Sequence, residues 1–129
     1  MNQVTAIRVP SLKIKSEVIM KTDLLHHNEI EALTSLKEEL EKNFRLIDFR
    51  IFGSKARGNA TEDSDIDVMI ELEYVTPSIE EAIDMITFKI NLKYDCLIST
   101  VIYSQTELTD GPMSESPLYK VIEREGIRI

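Results

Sequence analysis

The chain has 129 residues, 43% of them hydrophobic, with 23 acidic and 15 basic side chains and a formal net charge of -8. That length supports one domain with a real core rather than two. The acid excess argues against long DNA or RNA as the main ligand, because affinity for nucleic acid rests on basic side chains neutralising phosphates. No apolar run reaches the ~20 residues of a membrane span, charges interrupt the N-terminal hydrophobic residues where a signal peptide would keep them apart, and Cys96 is the only cysteine. A soluble protein of the reducing cytoplasm, without an internal disulfide, is expected.

Residues 1–28 read as an N-terminal extension. β-Branched residues in 4–9 and 12–19, separated by Pro10-Ser11, suggest one or two short strands, with a loosely held arm as the alternative. The remainder, 29–129, reads as a single domain. A helix is expected over 29–44, capped by Asn28, with Glu31 completing a capping box. Its apolar stripe is Ile30, Leu33, Leu36 or Lys37, Leu40 and Phe44. His26 and His27 precede it as ordinary surface histidines, since neighbouring positions do not face one another on a helix.

A strand is expected over 46–52, with Ile47, Phe49 and Ile51 on one face and Asp48 and Arg50 on the other. Gly53-Ser54 ends it, Lys55-Ala56-Arg57 forms a single helical turn, and 58–64 is a polar loop. The second strand, 65–73, buries Ile66, Val68, Ile70 and Leu72 and turns Asp65, Asp67, Met69 and Glu71 to the other face. Thr76-Pro77-Ser78 breaks the chain, and a capping-box start at Ser78 opens a helix to about residue 91 with Ile79, Ala82, Ile83, Ile86 and Ile90 as its core stripe. A third strand is expected over 94–103 and a loop at Asp110-Gly111-Pro112. A last helix runs from Ser116-Pro117 to about residue 125, capped by Gly126, with a short Ile127-Arg128-Ile129 tail. The pattern is one α/β (α+β) domain, a small mixed sheet with helices mainly on one face.

The second strand, helix and third strand form a βαβ unit, which makes those strands parallel. The short link between strands one and two favours an antiparallel pair. Such a topology collects Gly53-Ser54, Asp65 with Asp67, and Asp95 on one rim. A Gly-Ser turn offers N–H groups and a hydroxyl to a phosphate, and carboxylates two apart on an extended segment can share a hard cation. Three clustered carboxylates repel unless a cation compensates them, a role that Mg²⁺ fills. With two ions, Asp95 serves as a ligand to the second or as base for an acceptor hydroxyl. Lys55 and Arg57 are candidate partners for a polyphosphate.

Gly53-Ser54, ten intervening residues and then Asp65-Ile66-Asp67 resemble the signature of the DNA polymerase β-like nucleotidyltransferase superfamily. The fuller string from Gly53 to Val68 is similar to its minimal nucleotidyltransferase (MNT) branch, small proteins often paired with a HEPN-domain partner as toxin–antitoxin systems. The resemblance covers about 29–129 and includes the ending Glu125-Gly126-Ile127. It implies the nucleotidyltransferase fold, with Gly53, Ser54, Lys55, Arg57 and Ser64 at the nucleotide. It further implies Asp65, Asp67 and Asp95 as catalytic residues and as ligands of Mg²⁺, two ions in all. ATP is the implied substrate, and AMP passes to a hydroxyl, in the antitoxin case a tyrosine of the HEPN partner, in a homo- or hetero-oligomer. Small-molecule adenylylation and a non-catalytic antitoxin that neutralises its partner by contact stay open as alternatives.

Overall fold

The computed structural model describes residues 25–129, so the strands expected within 4–19 lie outside the described residues. Helix α1 (His27–Asn43) leads into strand β1 (Leu46–Phe52), the short helix α2 (Gly53–Arg57) and strand β2 (Ile66–Leu72). Helix α3 (Pro77–Tyr94) then crosses to strand β3 (Ile98–Ser104), succeeded by α4 (Gln105–Thr109), a 3-10 turn (Pro112–Glu115), α5 (Pro117–Glu125) and β4 (Ile127–Arg128). No helix among the described residues is long and apolar enough to cross a membrane.

The four strands form one mixed sheet in the order β3-β2-β1-β4. β2 and β3 are parallel, as the α3 crossover between them requires, and β1 is antiparallel to both β2 and β4. Period-two alternation sorts each strand's side chains. Phe49, Ile51, Ile66, Val68, Ile70 and Leu72 face α1 and α3, joining Leu33, Leu36, Leu40, Ile83 and Ile90 in the main core. Fully burying one such side chain stabilises the fold by about 1.5–3 kcal/mol. The opposite face is smaller and partly covered by α5, where Met69 and Tyr103 pack on Ile122. The helices therefore lie mainly, but not wholly, on one face.

Tertiary contacts shift several boundaries from their expected places. His26, not Asn28, caps α1, and its N–H donates to the Glu29 carboxylate at 2.9 Å. Thr76, not Ser78, caps α3, accepting from the Ile79 N–H with Pro77 in the first turn. α3 runs on through Tyr94, so β3 begins at Ile98 rather than at 94. The β-prone run 94–97 is recruited into the helix end because Asn91 ties the turn: its Oδ1 accepts from Ile98 N at 2.8 Å and its Nδ2 donates to Ile98 O at 3.2 Å. Asn28 supports the same corner, donating to the carbonyls of Tyr94 and Asp95 at 2.7 and 3.1 Å. Gly126 caps α5 as expected, but Ile127 and Arg128 beyond it form a strand rather than a tail. A Cβ on Gly126 would lie 2.5 Å from Ile122 O and 3.1 Å from Arg50 Cδ. Its bareness lets α5 turn directly into β4.

A buried ion pair joins α1 to α2. Lys55 of α2 is 2% exposed and Glu29 of α1 is 7% exposed, with Nζ 3.0 Å from Oε2 and 3.1 Å from Oε1. Removing one partner of such a pair leaves an uncompensated buried charge. Glu29→Ala is therefore expected to lower stability in urea unfolding by about 3 kcal/mol or more, whereas Glu29→Leu/Lys55→Met recovers most of that loss. On the other sheet face, burial first and then the Asp48 charge raise the Glu71 pKa above its ordinary value, against the opposing pull of Arg50 and Arg128. The folded state thus holds the Glu71 proton more tightly than the unfolded chain, and this contribution to stability is lost as pH rises through the folded-state pKa. Unfolding curves at pH 4.5 and pH 7.5 should show a smaller alkaline loss in Glu71→Gln than in the natural chain.

Candidate active site

The β1–β2 register sets the geometry of the site. Phe52, the last residue of β1, pairs with Asp67 near the start of β2, so the chain leaving β1 at Gly53 passes directly beside the Asp67 side chain. Gly53 has φ +76°, in the left-handed region, and a Cβ built on it would lie 2.2 Å from Asp67 Oδ2. Both the conformation and the space exclude a side chain there. Gly58 at φ +84° closes the single turn of α2, donating to Ser54 O at 3.0 Å. Thr61 and Ser64 close the next loop on itself: Ser64 Oγ accepts from Thr61 N at 2.9 Å.

Asp65 is exposed just before β2, while Asp67 is half-buried within it. Ile66 donates its N–H to Leu97 O at 2.8 Å, anchoring the strand between the two carboxylates. The Asp67 pKa is raised above the ordinary aspartate value, first by burial, then by the Asp65 charge, with Arg57 opposing and Glu125 adding to the rise. Asp65 and Asp67 are thus a mutually repelling acidic pair whose oxygens suit a hard divalent ion. Among the described residues no group of three or more His, Cys, Asp or Glu side chains is assembled as a metal cage. Two carboxylates completed by substrate phosphates and water match the way Mg²⁺ is usually held.

The expected residues divide into those that meet and those that do not. Gly53, Asp67 and Arg57 share one corner with Asp65, and Ser54 is next to Gly53 in the same turn. Lys55 does not join them. It points inward to Glu29, because successive residues of a helical turn leave in different directions. Ser64 is engaged within its own loop. Asp95 is not at a strand start: it is the C-cap of α3 at φ +52°, and β3 begins three residues later. The residue in register beside Asp67 is Ser99, and the charges acting on Asp67 are those of Asp65, Arg57 and Glu125. Asp95 instead acts on Cys96, whose thiol is pushed up to about 11 by burial first, then by Glu29 and Asp95.

Glu125 is the carboxylate that sequence reasoning missed. Its Oε2 accepts from Gly53 N at 2.8 Å and from Arg57 Nη1 at 3.0 Å. The signal lay in the C-terminal residues. Once Ile127 pairs with Ile51 and Arg128 with Arg50 in an antiparallel ladder, the same register extended by two places residue 125 opposite residue 53. Reading 127–129 as a tail hid that register.

A concavity of about 370 Å³ lies elsewhere, lined by Phe44, Arg45, Glu73, Tyr74 and Ile79 among others. It sits beyond the Leu46–Leu72 end of the β1–β2 pair, whereas the acidic pair is at the Phe52–Asp67 end. The acidic corner is open to solvent at Asp65, suited to a ligand that brings much of its own structure.

Gly53→Ala should displace the Asp67 carboxylate and destabilise the chain by roughly 1–2 kcal/mol through the left-handed φ alone, measurable in thermal and urea unfolding. Cys96 should resist alkylation at pH 8, with only about one thiol in a thousand ionised at a pKa of about 11. Reaction with iodoacetamide should accelerate on unfolding in urea.

Residues 33–128 match the family described as nucleotidyltransferase domain. Protein adenylyltransferase MntA of Thermococcus cleftensis is 40% identical over 63 residues, 48% of this chain and 63% of that protein. Two Methanocaldococcus jannaschii proteins carry the same activity in their names as a provisional assignment. MJ0141 is 43% identical over 74 residues, 57% of this chain and 69% of its own length. MJ1215 is 39% identical over 75 residues, 56% of this chain and 86% of its own length. The match thus spans less than two thirds of the Thermococcus relative, and the family match covers most of the domain described above. The chain belongs to the nucleotidyltransferase domain family.

Proposed function

We propose that this chain is a divalent-metal-dependent nucleotidyltransferase that moves AMP from ATP to a hydroxyl of a protein acceptor. The observation that carries the reading is the close approach of bare Gly53 to the Asp67 carboxylate, which brings a Gly-Ser turn and an acidic pair to one open corner. The name of the Thermococcus relative supports a protein as acceptor. The resemblance to the MNT branch narrows this further, to a tyrosine of a HEPN-type toxin partner, with this chain as antitoxin.

Asp65 and Asp67 would hold Mg²⁺, and the bound ion would offset charge on the phosphates of the transition state. The Ser54 hydroxyl and the backbone of its turn would orient the triphosphate. Arg57, near Asp67 and partly exposed, adds a positive charge on the same side. In the transfer the acceptor oxygen bonds to the α-phosphorus as the bond to the bridging oxygen breaks. Pyrophosphate leaves, and the hydroxyl proton passes to a carboxylate or to water. The sequence pattern suggests Asp95 as a third catalytic carboxylate, but its C-cap position supports a role in holding the α3–β3 turn instead.

Incubation with α-labelled ATP and Mg²⁺, with and without the protein encoded beside this one, tests the proposal. Label should appear on the neighbour and fall by roughly 100-fold or more with Asp65→Asn/Asp67→Asn, a loss of about 2.7 kcal/mol or more. Asp95→Asn should keep transfer within about threefold of the natural chain, under 1 kcal/mol. Inhibition of the neighbour without label would replace this reading with the contact-only antitoxin, and label on a small hydroxyl compound alone would replace it with small-molecule adenylylation.

A further inference from the structure

We infer that Glu125 is a positioning residue for this site, holding the Gly53 turn and the Arg57 guanidinium in a fixed relation to Asp67 through a single carboxylate oxygen. The kinetic consequence rests on the nucleotidyltransfer reading, while the geometry does not. Gly53 N and Arg57 Nη1 both donate to Oε2, at 2.8 and 3.0 Å. Bonds to an ionised acceptor are about twice as strong as neutral ones, and this one spans 72 residues of sequence, from the last turn of α5 to the turn after β1. The Glu125 side chain is only 15% exposed, so water competes weakly for it.

Three features make Glu125 a fixed strut rather than a loose surface acid. Its backbone is the last residue of α5, with the next residue capped to Ile122 O at 2.7 Å. The pair beyond it, Ile127 and Arg128, is locked on β1 at Ile51 and Arg50. Ile122, one turn earlier, is fully buried against Met69 and Tyr103. The carboxylate is thus held from both sides of the chain, and through it the C-terminal helix is coupled to the nucleotide turn.

The bond also changes which donors are open to a phosphate. Gly53 N–H and one Arg57 N–H are already engaged, so Ser54 and the remaining guanidinium N–H groups are left for a ligand. Without Glu125, the Gly53 N–H would lose its acceptor and Arg57 its tether to α5. The defect should appear as weak nucleotide binding rather than as slow chemistry.

The test uses the full chain and two variants, Glu125→Ala and Glu125→Gln. In nucleotide-free protein monitored by NMR hydrogen exchange, Glu125→Ala should speed exchange at the Gly53 amide by roughly tenfold, the worth of one such hydrogen bond. Ladder amides of β1 and β2 should keep their natural rates. Glu125→Gln retains an acceptor and should restore most of the Gly53 protection. With Mg²⁺ and ATP, Glu125→Ala should raise KM by roughly tenfold with kcat within about threefold, and Glu125→Gln should lie between. Unchanged Gly53 exchange in Glu125→Ala would overturn the inference, as would a uniform acceleration across the whole ladder or a Glu125→Gln that behaves like Glu125→Ala. Should the natural chain neither bind nor transfer nucleotide, the proposed function falls, and the Gly53 exchange alone still decides what Glu125 does.

Discussion

The geometry of the acidic corner depends on an absence. At Gly53 the chain leaves β1 in a left-handed conformation with no Cβ, and the space a side chain would take is occupied by Asp67 Oδ2. The antiparallel pairing of Phe52 with Asp67 sets the end of β1 beside that residue, and the left-handed φ of Gly53 turns the chain against its carboxylate. A turn offering backbone donors and a carboxylate suited to a cation are thereby brought within van der Waals distance. Neither the turn nor the carboxylate would be a site alone. Sheet register makes them one.

Charge at this corner is arranged rather than minimised. Burial first, then Asp65 and Glu125, raise the Asp67 pKa, and Arg57 opposes them. In a chain of net charge -8 such a cluster is costly to the folded state unless something positive arrives. Under the proposed function, a divalent cation carried in with a nucleotide would meet that need. Farther along the same face of the sheet, Arg50 bridges Asp48 at 2.7 Å and Glu123 at 2.8 Å. There the cation is built into the chain, and that cluster reads as structure.

Much of the fold is legible in the sequence because its signals are local and periodic. The alternation in 46–52 and 65–73 identifies both central strands and the buried face of β2. Ile47, expected beside Phe49 and Ile51, is instead exposed at the register shift between Leu46 and Asp48. The βαβ spacing implies the parallel pairing of β2 and β3. Ser116-Pro117 marks the start of α5, where Ser116 Oγ accepts from Tyr119 N at 3.1 Å. Misreadings arise where tertiary contacts override local preference. Tyr94 to Leu97 has strand-forming residues, but Asn91 and Asn28 hold that segment as a helix end and turn. Asp95 consequently sits at the C-cap of α3 rather than at the start of β3. Glu125 cannot be seen until the two residues of β4 are known to pair with β1. No local pattern announces so short a strand.

The two cations of α2 show how far a motif read as a string can mislead about individual residues. Lys55 and Arg57 stand two apart in one short turn, and both suggest a phosphate. A helical turn sends such neighbours about 200° apart, so they cannot both face the same ligand. Lys55 takes the inward direction, and its flexible stem reaches Glu29 in the core. Arg57 takes the outward one, where its planar fork meets Glu125 and leaves further donors open. The inward lysine fixes the turn to α1 and the outward arginine ties it to α5. The Gly-Ser turn is therefore clamped between the first and last described helices by long-range ion pairs rather than by its own sequence alone.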